Sequence, residues 1–527
     1  MKFEISRFIK SVCSLVFSQI LIKIFGMIYT LYITNKTGFG DRGNAIYMSG
    51  YQIYSLMLTV SSIGIPNAMA KLIAEKEVLR DFKNSKRIIY TASLLFGVIG
   101  FCLSVMLYFL SDFIADNVLQ ISESSLSIKV LSPAIFFVSI SAVLRGYFNG
   151  KNRFKVGAKA QVFEQIIKTV FTIIFVEIVA IKFSYDTSLM AASANLATSL
   201  ATMISFLYIV KVYYKEERLK IKMFGEYKKE KISYILRRII LIAFPVTLSV
   251  LISNISKNVD SVTIVRLLKE FIGEEEAIKL YGILSSKVDI LISMPLSINS
   301  SISTAIIPEI SELKVINNMK LFEKKIIDAL DFSSLILMPC FFGMCFYSKE
   351  IFLLLFPNAS CGYELLSLAS ITILFSGYYQ TISGIMQGID KSTITLYISI
   401  FSIIIKVILN IVLIRLDFLY EKGAVLSNII STGISFGLIK YYLLRSIYIK
   451  NNLIGTTGKY FVVSLVMIIL SKFMYCILEK FELNLYLTIE ISIIFSAIIY
   501  VFLIILLKFL EKMRKIPNFE TVENTEV

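Results

Sequence analysis

The chain has 527 residues, 56% of them hydrophobic and 17% charged, too few charges for a soluble protein of this length. Its net charge of +16 lies in short loops between apolar runs, as in a membrane protein, which excludes the nucleic-acid surface that so basic a chain otherwise suggests. The sequence contains no histidine, which excludes histidine-based catalysis and histidine metal sites, and its six cysteines form no CxxC pair and read as packing residues.

Apolar stretches of about twenty residues, the length that crosses a bilayer's hydrocarbon core, recur throughout. A spanning backbone must satisfy its own hydrogen bonds, so the predicted fold class is an all-α integral membrane protein with about fourteen transmembrane helices. Span 1 (11–33) is too long and too poor in cleavage features for a removed signal peptide, and it sets Gln19, Lys23, Gly26 and Thr30 on one face. Span 2 (46–72) follows Arg42, placed near the outer surface. Span 3 (88–111) precedes span 4 (127–150), which ends on Arg145-Gly146-Tyr147-Phe148-Asn149-Gly150. Arg145 either lines a cavity or snorkels to the headgroups.

Span 5 (160–182) carries Gln161, Glu164, Gln165, Lys168 and Thr172, a spacing of threes and fours that lies on one helical face. Each charge at a helix centre costs about 2.5–3.5 kcal/mol on insertion scales, so a use or a partner is expected. Glu164 and Lys168 are either a structural i,i+4 ion pair or a cavity-lining face. Span 6 (188–211) leads to a basic linker (213–238), predicted as a short amphipathic helix with Tyr213, Leu219, Ile221 and Phe224 toward the bilayer.

Span 7 (239–265) holds Lys257 and Asp260, which either neutralise each other or line a cavity, and span 8 (279–310) holds Lys287 and Asp289. Spans 9 to 12 follow at 328–349, 363–388, 393–415 and 423–445, with Ser399, Ser402, Lys406 and Asn410 as a polar stripe on span 11. Spans 13 (459–478) and 14 (485–510) and a basic tail (511–527) complete the chain. Lysine and arginine crowd the loops at 71–87, 151–159, 211–238 and 440–459 and the tail, all on one side of a fourteen-span arrangement, which predicts cytoplasmic termini.

The span-4 motif recurs 238 residues later: Gly384, Gln387, Gly388 and Lys406 stand in register with Gly146, Asn149, Gly150 and Lys168. Ile65-Pro66 near the end of span 2 resembles Ile307-Pro308 near the end of span 8. Spans 1–6 thus pair with spans 7–12 as two parallel six-helix lobes, 1–212 and 239–447, with the two C-terminal helices (448–510) added. Lys23, Lys168, Lys287 and Lys406 are expected on converging faces of one cationic cavity, suited to a phosphate or diphosphate. Gly38-Phe39-Gly40-Asp41-Arg42-Gly43 satisfies GxGxxG without a βαβ setting, and Gly455-Thr456-Thr457-Gly458-Lys459 lacks the spacing of a phosphate loop.

Arg145 to Gly150, with Gln161 and Glu164-Gln165, resembles the signature of the stage V sporulation protein B and polysaccharide-transporter family of the MOP exporter superfamily. Gly64-Ile65-Pro66-Asn67, Pro245-Val246-Thr247, Leu280-Tyr281-Gly282 and Ile307-Pro308-Glu309 carry the likeness along nearly the whole chain. Val156-Gly157 stands where the family has proline-threonine, Asn149 where it has glutamine, and Lys168 where arginine is common. The resemblance implies a MATE-like fold and a flippase, not an enzyme, that moves an undecaprenyl-diphosphate-linked saccharide, such as the peptidoglycan precursor lipid II, from the inner to the outer leaflet by alternating access. Its implied partners are that polyprenyl-linked cargo, the bilayer and the cell-wall synthesis machinery, with a sporulation role among those open. No cofactor is expected; a coupling ion, Na+ or H+, is left open. An ion-coupled MATE-type antiporter is the alternative, with Glu164 or Asp260 as its acidic site. A membrane-embedded transferase is disfavoured by the missing histidine.

Overall fold

The computed structural model of the chain describes residues 18, 21–62, 64–151, 153–219, 229–316, 319–416, 419–446, 453–481 and 484–513. Every regular element among them is helical. These are α1 (Leu21–Asn35), α2 (Gly40–Ser62), α3 (Ile65–Val78), α4 (Phe82–Phe113), α5 (Ser124–Gly150), α6 (Phe154–Lys182) and α7 (Thr187–Leu219). Then come α8 (Ile232–Ile272), α9 (Glu274–Gly282), α10 (Asp289–Ile316), α11 (Met319–Phe346), α12 (Ser348–Leu355) and α13 (Tyr363–Ala369). The last are α14 (Ile371–Gly388), α15 (Ser392–Leu413), α16 (Tyr420–Ser446), α17 (Leu453–Lys480) and α18 (Leu485–Met513). Two π-helical turns, Ile114–Leu119 and Ile283–Val288, follow α4 and α9.

Ten stretches of helix among the described residues are long and apolar enough to cross a membrane. The expected spans 1, 5, 7 and 8, which fall on α1, α6, α8 and α9–α10, are not in that set; the apolar run of α6, a continuous helix, is interrupted by Glu164, Lys168 and Glu177. Span 2 is not one helix. Gly64 forms a bend between α2 and α3, and Pro66 stands in the first turn of α3, where its missing N–H costs no intrahelical bond. Asp81 caps α4 by accepting from the Asn84 backbone N–H at 3.1 Å. Ile221 and Phe224 of the expected linker helix lie outside the described residues, as do residues 1–17 and 514–527.

The chain forms two compact units. One comprises the chain up to Met294 with Phe356–Leu365 and Thr393–Ser435; the other comprises Pro295–Leu355, Leu366–Ser392 and the chain from Phe436 onward. In the first, Ile65, Met69 and Leu72 of α3 pack with Ile88 and Ala92 of α4 and Val143 and Tyr147 of α5. The motif glycines make this packing close. A Cβ at Gly146 would meet the Met69 Cβ at 2.5 Å and the Pro66 carbonyl oxygen at 2.8 Å, and one at Gly150 would meet the Ala70 carbonyl oxygen at 2.7 Å. In the second unit a Cβ at Gly388 would meet the Ile310 Cβ at 2.8 Å and the Ile307 carbonyl oxygen at 3.1 Å, while Gly384 abuts Ser303. The repeated glycines therefore serve helix contact in both units, with Asn299 of α10 donating to the Gly377 carbonyl at 2.8 Å in the second.

Gly146→Val is accordingly expected to lower stability by about 1–3 kcal/mol or more through overpacking. Gly437→Val, at a helical position with nothing within 4 Å of an added Cβ, serves as the control. Thermal unfolding of both variants in detergent tests this, and equal melting temperatures would contradict it.

Candidate functional site

The polar face of α6 opens on a cavity of about 430 Å³. Gln161, Glu164, Gln165 and Lys168 line it from α6, Arg145 and Asn149 from α5, Tyr51 and Tyr54 from α2, and Thr198 from α7. Thr169, one residue beyond the lysine, ties α6 to α1 by donating to the Phe25 carbonyl at 3.2 Å. Gly26 faces Gln165 across this contact, and a Cβ there would lie at an ordinary 3.5 Å from the Gln165 amide nitrogen. On the other side Ser205 of α7 donates to the Ala160 carbonyl at 3.2 Å.

Lys168 is 5% exposed, and its ammonium lies 4.8 Å from the Tyr29 ring centroid and 4.6 Å from that of Tyr51. Such cation–π contacts hold a desolvated ammonium without cancelling its charge. Among the described residues no ion pair within 4 Å joins Glu164 to Lys168 or to Arg145. Glu164 and Lys168 thus face the cavity rather than each other. Arg145 does not snorkel away: it lines the same cavity, as does Thr198, and the Arg145 Nε and the Thr198 hydroxyl are buried with no hydrogen-bond partner among the described residues. Buried polar groups left open in this way are costly unless a ligand or water meets them.

The expected convergence of four lysines does not appear in this lining. Lys23 is exposed on α1, and Lys168 is the member of the four that lines the cavity among the described residues. Lys287 is fully buried in the second π turn, 2.5 Å from an Asp41 carboxylate oxygen, and donates to the Ala359 carbonyl at 2.5 Å. Lys406 donates to Asp260 at 2.7 Å and to the Ser256 carbonyl at 2.9 Å. Asn410 donates to the same Asp260 carboxylate at 3.2 Å and to Thr263 at 2.8 Å, and Ser427 donates to Asn410. Asp260 is thus engaged by Lys406 of α15; the Lys257 side chain lies outside the described residues. The physical reason is counter-charge: an ammonium in a low-dielectric interior requires a carboxylate, and Asp41 and Asp260 arrive from helices remote in sequence.

Tyr29, Tyr51 and Tyr54 are site residues that the charge pattern of the sequence does not single out. Tyr47, Tyr51 and Tyr54 recur on α2 at spacings of four and three, a signal that one helical face is aromatic.

The sequence profile of the polysaccharide biosynthesis proteins matches residues 8–314, more than half of the chain. The chain belongs to that family. This polysaccharide biosynthesis protein is 23% identical to the stage V sporulation protein B of Bacillus subtilis, over 97% of this chain and 98% of the relative. It is also 23% identical to the lipid II flippase MurJ of Bacillus subtilis, over 98% of each. Among solved structures, the inward closed conformation of the lipid II flippase MurJ superposes with a TM-score of 0.70 at 17% identity, covering 93% of this chain and 97% of that one. The fold is that of the MOP transporter superfamily, and this family member is a multi-pass membrane transporter rather than an enzyme.

Proposed function

We propose that the protein is a flippase that carries a polyprenyl-diphosphate-linked saccharide, lipid II or a related peptidoglycan precursor, from the inner to the outer leaflet by alternating access. The observation that carries this reading is the buried Lys168 ammonium, which shares a cavity with Arg145 and lies within 4 Å of no carboxylate oxygen among the described residues. A cation held by tyrosines rather than by a carboxylate retains its attraction for an anion, and a low-dielectric wall strengthens it. The diphosphate would take Arg145 and Lys168, while Gln161, Gln165 and Asn149 offer amides to sugar hydroxyls. The lipid tail would remain in the bilayer.

In this scheme residues 1–212 and 239–447 act as two lobes, 448–510 add two helices, and the basic loops hold both termini in the cytoplasm. Whole-length likeness to the stage V sporulation protein B favours a role in spore-wall precursor supply. The test is outer-leaflet exposure of labelled lipid II in cells where this chain is the sole flippase. Exposure that requires expression supports the reading. No exposure, from protein that is folded in the membrane, rejects lipid II as the cargo.

A further inference from the structure

We infer that binding of the anionic headgroup in the α5–α6 cavity is coupled to uptake of one proton by Glu164. The inference rests on the diphosphate placement proposed above and adds a charge count to it. Arg145 and Lys168 bring two positive charges to the lining and Glu164 one negative, which leaves one net positive charge while Glu164 is ionised. A diphosphate esterified to a lipid at one end and a sugar at the other is a dianion across the neutral range. With Glu164 ionised, the filled cavity holds one uncompensated negative charge, and a carboxylate stands against phosphate oxygens. With Glu164 neutral the charges cancel, and its O–H donates to a phosphate oxygen. In a buried site both changes favour the protonated form.

The groups that face Glu164 are consistent with this count. Tyr51 and Tyr54 come from α2, Arg145 from α5, Gln161 and Lys168 from α6 itself, and Thr198 and Ser205 from α7. Of these, Arg145 and Lys168 alone are charged at neutral pH, and neither is within 4 Å ion-pair distance of the Glu164 carboxylate. The carboxylate is therefore not locked in its ionised form by a direct salt bridge, and the charge that arrives with the ligand decides its state.

The sign follows from linkage. The complex binds more protons than the empty protein, so affinity is greatest at acidic pH. It falls by up to about tenfold per pH unit across the range in which one proton is taken up.

The experiment uses the full chain in nanodiscs and a short-chain prenyl-diphospho-N-acetylglucosamine, whose charge does not change near neutrality. Titration calorimetry from mildly acidic to mildly alkaline pH, in buffers of different ionisation heat, counts the protons. The unchanged protein is expected to take up about one proton per probe and to bind less tightly as pH rises. Glu164→Gln is expected to take up none, to give a flat profile and to bind more tightly than the unchanged protein at alkaline pH, which loss of a merely structural carboxylate would not produce. A flat profile for the unchanged protein, with binding lost in Arg145→Gln and Lys168→Gln, overturns the proton coupling and keeps the anion site. Undiminished binding in those two variants overturns the site, and the coupling with it.

Discussion

Replacing Lys168 by glutamine is expected to weaken binding of a prenyl-diphosphate-linked sugar by about ten- to a hundredfold, the equivalent of one charge-assisted hydrogen bond, and to reduce translocation accordingly. The expectation follows from the setting of the side chain. Lys168 is buried, faces the cavity beside Arg145, and is held by the rings of Tyr29 and Tyr51 rather than by a carboxylate. Removing its charge therefore breaks no ion pair within 4 Å among the described residues, Arg145 remains beside Glu164, and the protein should fold. Lys168→Arg should retain most of the activity, because a guanidinium also stacks on aromatic rings and grips phosphate with two donors. Loss in the glutamine variant, near-retention in the arginine variant and unchanged melting temperatures form the expected set. Full translocation by Lys168→Gln would remove the phosphate role.

The second large effect belongs to Asp260, and it is one of stability. Its carboxylate receives Lys406 at 2.7 Å and Asn410 at 3.2 Å, and Lys406 is 3% exposed. Asp260→Ala leaves a buried ammonium without its counter-charge, a change that typically costs about 3–5 kcal/mol. The double variant Asp260→Leu with Lys406→Met removes both charges and is expected to recover most of that loss, because well-packed apolar groups replace a buried pair at little cost. Melting temperatures of single and double variants in detergent decide the matter: a double variant as unstable as the single would show that the pair is not a closed unit. Lys168 and Lys406 thus occupy matching repeat positions and are expected to fail differently when changed, the first in binding and the second in stability.

The α6 face was legible in the sequence because helical spacing alone brings Gln161, Glu164, Gln165 and Lys168 to one side. The motif glycines were legible as a repeat, but their use was not. That Gly146 rests on Pro66 and Met69, and Gly388 on Ile307 and Ile310, depends on which helix lies opposite. The same holds for the charges. Lys287 and Lys406 look like Lys168 in the sequence: each is a lysine within an apolar run. What separates them is a carboxylate on another helix, Asp41 for one and Asp260 for the other.

Composition and periodicity determined the membrane class, the helical architecture and the polar face of α6, because each depends on the local order of apolar and polar residues along one helix. The tertiary structure decided which lysines retain an available charge. Cancelling a buried charge requires an opposite one within about 4 Å, and that proximity is set by the packing of distant segments rather than by the order of residues along any one of them.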